Sequence, residues 1–160
     1  MTDPLLPSKP FQPRDLDFRE RVKASFARQN AMHSLGISLF QVEPGQVELR
    51  MPFSEKLTQQ HGFIHAGIIT TALDSACGYA AYSLMPKGDA VLTVEFKTNL
   101  LAPARGDEFA FRARVTKPGR TLSVCDGYAF ALSENEEKLV ASMTGTMMAV
   151  SGRDDVNEGG

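Results

Sequence analysis

The apolar residues of this chain recur with different periods in different stretches. Across residues 15–35, Phe18, Val22 and Phe26 return every fourth position on a polar background, and Gly36 offers a stop. This spacing predicts one amphipathic helix that packs by a narrow edge. The runs ISLFQVE and QVELRMPF flank Pro44-Gly45 and read as two strands joined by a turn. Residues 54–65 show no period. Residues 66–85, AGIITTALDSACGYAAYSLM, are apolar or small on nearly every side and end at Pro86. The second half is strand-like throughout, as AVLTVEFKTNLLAPA, DEFAFRARVTK, RTLSVCDGYAFALS and KLVASMTGTMMAV, punctuated by Gly106, Pro118-Gly119 and Glu134-Asn135. In the second of these runs Phe109, Phe111, Ala113 and Val115 fall on one face and Glu108, Arg112, Arg114 and Thr116 on the other or at the edge, the period of a half-buried strand.

A helix without a polar face must be covered on most of its sides. The economical arrangement is a single curved antiparallel sheet wrapped around the long helix, in the α+β class. The chain has 160 residues, which is one domain's length. The expected division is a loose proline-rich segment at 1–14, one domain at 15–150 and a polar, disordered tail at 151–160.

Composition narrows the possibilities. Net charge is -2 and the pI is about 5.9, so the basic surplus of a general nucleic-acid binder is missing. Two cysteines, Cys77 and Cys125, give neither a disulfide scaffold nor a zinc-binding CxxC. The N-terminus lacks a signal-peptide core, which makes the cytoplasm the expected compartment. The long apolar segment has a membrane-spanning length, but Thr70, Thr71, Asp74, Ser75 and Gly78 make it too polar to span a bilayer.

Between His65 and Pro86 the one charged side chain is Asp74. An ionised carboxylate among apolar neighbours is costly without a partner. One account gives it a wet helix edge or a hydrogen bond from Thr70 or Thr71, a turn earlier. The other aims it into a cleft as a base or nucleophile. At the start of the same helix, His65-Ala66-Gly67 presents backbone amides with no internal partner, at the positive end of the helix dipole, where an oxyanion could be held. From Ala66 to Asp74 is eight residues, roughly 12 Å along a helix. One carbonyl carbon cannot reach both. If both act, they come from two copies of the chain, and the site lies at a dimer interface. His61 and His65 have the spacing of a zinc pair, but Gly62 lies between them and no HExxH acid is present, so no metal is expected.

The segment Gln59-Gln60-His61-Gly62-Phe63-Ile64-His65-Ala66-Gly67, with Asp74 nine residues after His65, resembles the signature of hotdog-fold acyl-CoA thioesterases of the PaaI-like (phenylacetic acid degradation) family. That signature is Asn or Gln, then Gly, then His-Gly-Gly, then an acid on the central helix. VLTVEFKTNLLAPA and Lys117-Pro118-Gly119-Arg120-Thr121 resemble the family's next strand and its KxGKT-type hairpin. The resemblance covers residues 30–150. It implies a hotdog fold and a homodimer, with dimers pairing into a tetramer, acting on acyl-CoA without a cofactor. It also implies roles: Gln59 contacting the thioester, His65 positioning it, the Ala66 amide as oxyanion hole, Asp74 as base or nucleophile and Thr93 holding the attacking water. Gly62, Phe63, Gly67, Lys117 and Arg120 would contact substrate. Ala66 stands where the family usually has Gly, and still supplies an N–H if its φ is negative.

Thioester hydrolysis suits so small a set of groups. The leaving thiol, with a pKa near ~8.5 by analogy with cysteine, departs with little acid assistance. No GxSxG elbow occurs, and Cys77 reads as core filler. The basic residues Arg105, Arg112, Arg114, Lys117 and Arg120 outnumber Asp107 and Glu108, which reads either as a solvated strand edge or as a dock for coenzyme A phosphates, with Arg120 the best candidate. Ile68, Ile69 and Phe63 are candidates for the acyl tunnel. The competing readings are a hotdog dehydratase or hydratase on acyl-CoA or acyl-carrier-protein substrates, and a non-catalytic acyl-CoA-binding protein. The first lacks its His…Pro-Gly pattern, and the second would keep Asp74 in an inert pocket.

Overall fold

The computed structural model describes residues 10–152. Two short helices, α1 (Phe18–Ala27) and α2 (Asn30–Ser34), precede strands β1 (Ser38–Glu43) and β2 (Gln46–Pro52). A single 3-10 turn at Glu55–Leu57 leads to the long helix α3 (Ala66–Tyr82). Strands β3 (Ala90–Leu100), β4 (Glu108–Lys117), β5 (Leu122–Ser133) and β6 (Glu136–Val150) complete the fold. All six strands form one antiparallel sheet in the order β1-β2-β4-β5-β6-β3, packed around α3. This is the α+β arrangement of one sheet around a long helix expected from the pattern of apolar residues, and the hotdog fold that the family resemblance implied.

The packing of α3 follows from its small side chains. Ala72, Ala76, Ala80 and Ala81 are buried, with Ile69, Leu73 and Cys77 filling the interior. On β5, a Cβ added at Gly127 would lie 3.0 Å from Cys77 Sγ and 3.2 Å from a Leu73 methyl. Sheet and helix approach so closely there that even a methyl group would press on Cys77 and Leu73. From the other strands Leu49, Met51, Phe109, Phe111, Val115, Met143 and Met147 close the core. The alternation along β4 places Phe109, Phe111, Ala113 and Val115 inside, and Ala110 is buried as well.

Two differences from the expected elements have local causes. The N-terminal helix is not continuous over 15–35. The chain bends at Arg28 and Gln29, and Gln29 leaves helical geometry with ψ 89° as the N-cap of α2. The bend lets Phe26 and Met32 both reach the core, which a straight helix with a narrow apolar edge does not require. The long helix ends at Tyr82 rather than Met85, where the chain tightens into i→i−3 bonds from Leu84 N to Ala81 O and Met85 N to Tyr82 O ahead of Pro86, next to the fully buried Ser83. Its hydroxyl donates to Ala80 O and accepts from Gly45 N, both at 2.7 Å. Gly45, at φ 75°, makes the β1–β2 turn, and the Phe11 ring packs against it. The expected loose end segments lie mostly outside the described residues.

Arg21 closes the end of α3 from another element. Its guanidinium donates to Met85 O at 2.8 Å and Tyr82 O at 3.4 Å, stacks on the Tyr82 ring and pairs with Asp15 at 2.7 Å. It thus serves the last carbonyl of α3, which also accepts from Met85 N, and the Met85 carbonyl in the turn beyond the helix. The hydrogen bond from Arg21, and then that from Asp17 N, hold the Asp15 carboxyl below its ordinary value of 3.8. A carboxyl whose folded pKa is depressed adds stability that is complete above its unfolded value and is lost as pH falls through the folded one. Arg21→Ala is expected to cost about 2–3 kcal/mol in urea unfolding at neutral pH, the scale of hydrogen bonds from a charged donor. The gap between wild type and variant should narrow below about pH 4, as the Asp15 contribution disappears from the wild type.

Candidate active site

Asp74 sits halfway along α3, half-buried. Its partner is neither Thr70 nor Thr71, and Thr71 instead bonds Gly67 O within the helix. Thr93 Oγ1 donates to Asp74 Oδ1 at 2.8 Å. Thr93 lies where the register of β3 against β6 slips, between Thr93 and Glu95. Such a bulge re-aims a side chain, and this one sets the hydroxyl against the carboxylate. The pair opens on a cleft of about 250 Å³ bounded by α3, the start of β3 and the α1–α2 bend, with Ser25, Arg28, Gln29, Ser75 and Tyr79 in its walls.

The groups at the head of α3 gather elsewhere. Gln59, Phe63 and Ala66 line a second hollow of about 430 Å³, with Ile69 and the β3–β4 connection from Leu100 to Ala104. The loop that forms it is a tight turn: Gln59 N donates to Phe63 O at 2.8 Å, Gly62 N to Gln59 O at 3.0 Å, and Gly62 has φ 82°. The Gln59 side-chain oxygen accepts from His61 N, so its NH2 end is the part left to donate outward.

His65 is the N-cap of α3, and its Nδ1 accepts from Gly67 N at 2.9 Å. A neutral ring in that role carries its proton on Nε2. A Cβ at Gly67 would lie 3.1 Å from His65 Nδ1, so the glycine leaves room for the cap. The Gly67 amide is thereby occupied. The Ala66 N–H enters none of the hydrogen bonds found among the described residues, and Ala66 has negative φ, as a donor at that position needs.

The expected site residues therefore fall into three places. Asp74 and Thr93 share one cleft, while Gln59, Phe63 and Ala66, beside the His65 cap, share another. Lys117 and Arg120 are exposed on the β4–β5 hairpin, where Arg120 lines a third hollow together with Arg14 and Phe11. Of the tunnel candidates, Phe63 and Ile69 line the second hollow and Ile68 does not. Two of the expected phosphate-docking cations serve the outer sheet face instead. Arg112 pairs with Glu48 and Glu137 and stacks on Phe130, and Arg114 lies over Tyr128.

Sequence reasoning missed Gln29 and Ser25. Gly78, four residues beyond Asp74, was recoverable from helical spacing, but Ser75 and Tyr79 lie off the Asp74 face and, like the residues of the α1–α2 bend, reach the cleft through the tertiary fold.

A model described as the thioesterase superfamily matches residues 61–138. The crystal structure of a thioesterase family protein from Silicibacter pomeroyi is 57% identical and superposes with a TM-score of 0.83, covering 84% of this chain and 99% of that one. The chain belongs to the thioesterase superfamily. Human acyl-coenzyme A thioesterase 13 is 30% identical over 107 residues, 66% of this chain and 76% of that protein. The PaaI protein of the E. coli phenylacetic acid degradation operon shares the fold at 22% identity and TM-score 0.76, covering 85% of this chain and 95% of that one. The chain spans 64% and 77% of the lengths of curated relatives from Halobacterium salinarum and Saccharolobus solfataricus.

Within this thioesterase superfamily member the cysteines are poor nucleophiles. Both are buried; burial is the main cause raising Cys77 well above the ordinary thiol value and pushing Cys125 up to about 12. A disulfide thiol reagent at pH 8 should titrate neither cysteine in the native protein and both after unfolding in urea. Rapid native labelling would show that α3 does not shield them.

Proposed function

We propose that the protein is an acyl-CoA thioesterase whose working unit is a homodimer. The carrying observation is the separation of the two halves of the chemistry: Asp74, held by Thr93, faces one cleft, and the unpaired Ala66 amide with Gln59 faces another. In one chain they lie roughly 12 Å apart along the same helix. A second copy placing its helix head against Asp74 completes the set.

Two surfaces favour such a partner. On α3, Gly67, Thr70, Thr71, Asp74 and Gly78 escape full burial and run along one side of a helix otherwise enclosed. Strand β3 is an edge of the sheet, yet it exposes Val94 (53%), Phe96 (44%) and Leu100 (60%). Phe96 and Leu100 lie opposite Gly145 and Ala141 in register, on the side of the sheet that α3 covers elsewhere. A long apolar edge is a template for pairing with another chain.

In this reading the thioester carbonyl lies between Asp74 of one protomer and the Ala66 N–H of its partner. Asp74 acts on the carbonyl, either through a water whose proton it takes or by direct attack. The negative oxygen develops against the helix amide, and the thiolate of coenzyme A leaves. Thr93 holds the carboxylate, and its oxygen can accept from the water. Gln59 donates its NH2 to the thioester, and His65 keeps the helix head in shape. Lys117 and Arg120 remain the cations for coenzyme A phosphates. No described helix is long and apolar enough to cross a membrane. The two free thiols are in keeping with a cytoplasmic location.

Thiol release from a panel of acyl-CoAs tests the reading. Asp74→Asn is expected to lower kcat by ~10²-fold or more, the range of a positioned base. Thr93→Val is expected to lose on the order of tenfold, the scale of one hydrogen bond to a charged group. Unchanged turnover in Asp74→Asn refutes the proposal.

The shared site makes a separate prediction. Asp74→Asn and Gln59→Leu protomers, each inactive alone, should recover about a quarter of wild-type activity when unfolded together and refolded. Half the dimers are then hybrids, each with one intact site. Absence of recovery, or a sedimentation mass equal to the 17.5 kDa chain, counts against the interface.

A further inference from the structure

The wall of the Asp74 cleft is polar in a way that hydrolysis at the thioester does not need. Gln29 and Ser75 face each other across it, with Gln29 Nε2 3.2 Å and Gln29 Oε1 3.4 Å from Ser75 Oγ. Ser25 Oγ and Tyr79 OH are 3.3 Å apart. Ser75 and Tyr79 are buried and Gln29 and Ser25 half-buried. The Ser25–Tyr79 contact is longer than the usual O–H···O range, and the Gln29 Nε2–Ser75 Oγ distance is at the upper end of the N–H···O range. Each group also keeps unspent capacity: a glutamine amide has two donors and a two-lone-pair acceptor, and Ser75 occupies only part of it. Ser75 and Tyr79 belong to α3, Ser25 to the last turn of α1, and Gln29 to the bend between α1 and α2, where it leaves the helix.

The shape of the cleft says which end of the substrate meets this wall. The cleft is backed by α1, whose Phe26 packs on Tyr79, and by the Ser25–Tyr79 contact. The hollow beside Ala66 is bordered instead by the loops before α3 and after β3. Coenzyme A, the larger and charged end, requires an open route. The acyl group is the end that a backed cleft of about 250 Å³ accommodates.

We propose that the α1–α2 bend is the specificity wall of the acyl compartment, and that Gln29, with Ser75, is its determining residue, favouring acyl groups that carry a hydrogen-bonding substituent over hydrocarbons of equal length. The proposal rests on the thioesterase reading above. A hydrocarbon that enters displaces water from these polar groups and returns no hydrogen bond, whereas a hydroxyl satisfies them.

The test compares kcat/KM for hexanoyl-CoA and its ω-hydroxy analogue in wild type, Gln29→Leu and Ser75→Ala. The wild type should prefer the hydroxylated substrate. Both variants should reduce that preference about tenfold, the value of one hydrogen bond, chiefly through KM. A merely structural role for Gln29 would lower both substrates in parallel. An unchanged ratio in both variants therefore overturns the proposal, and so does a wild type that prefers the hydrocarbon. If the wild type releases thiol from neither substrate, the thioesterase reading itself fails and this proposal with it. Selectivity failing while turnover persists removes this proposal alone.

Discussion

The organising constraint is the close contact between one thin helix and one curved sheet. With alanines at four of its nine buried positions, α3 lets β5 approach until a methyl group at Gly127 would crowd Cys77 and Leu73. A sheet of finite width cannot close around a helix held that near, so one stripe of α3 stays uncovered. Along that stripe burial is incomplete, and a carboxylate can be kept there without the full cost of the interior. Asp74 stands in it, half-buried, with Thr93 as its hydrogen-bond partner from the adjacent edge strand. The position of the acid is thus a consequence of how the core packs.

The same constraint explains why the edge strand looks as it does. β3 flanks the uncovered stripe, and its helix-facing residues Phe96 and Leu100 stay exposed, Leu100 beside the hollow at the head of α3. Left alone, such an edge would expose backbone donors and acceptors beside apolar side chains. Its bulge at Thr93 disturbs pairing locally while aiming a hydroxyl at the acid. The outer face of the sheet is handled differently. Arg50, Glu48, Arg112 and Glu137 form linked ion pairs there, and Arg112 and Arg114 cover aromatic rings. Cations that looked in sequence like a phosphate dock are spent on that face, because cross-strand neighbours at period two meet whatever their distance in the chain.

The parts of this arrangement that are local in the chain could be read from the residues. The period of β4, the Pro44-Gly45 turn, the featureless apolar surface of α3 and the isolation of Asp74 all follow from spacing. So did the 12 Å argument that separates Ala66 from Asp74, since helical rise needs no tertiary information. The bend at Arg28 and Gln29 was not legible. No proline or glycine marks it, and the stripe of Phe18, Val22 and Phe26 continues smoothly toward it. The bend exists because Met32 has a place in the core that a straight helix would miss. The capping role of His65 was equally hidden, since histidine is an uncommon N-cap and its sequence neighbourhood suggested direct contact with substrate.

That hidden bend matters for how such a site could change. The groups proposed for bond cleavage sit on α3, on β3 and in the loop before α3, all packed into the shared core, where a shift at one position is felt by the others. The residues of the bend belong to a short local element, anchored by Phe26 and Met32 and joined to α3 through the Gln29–Ser75 and Ser25–Tyr79 contacts and the Phe26–Tyr79 ring contact. A substitution at Gln29 alters one wall of the cleft without moving Asp74, Thr93 or the head of the helix. Because Gln29 and Ser25 come from the α1–α2 segment and the groups proposed for bond cleavage come from α3, β3 and the loop before α3, this fold has a way to alter what it accepts while the chemistry at the carbonyl stays fixed.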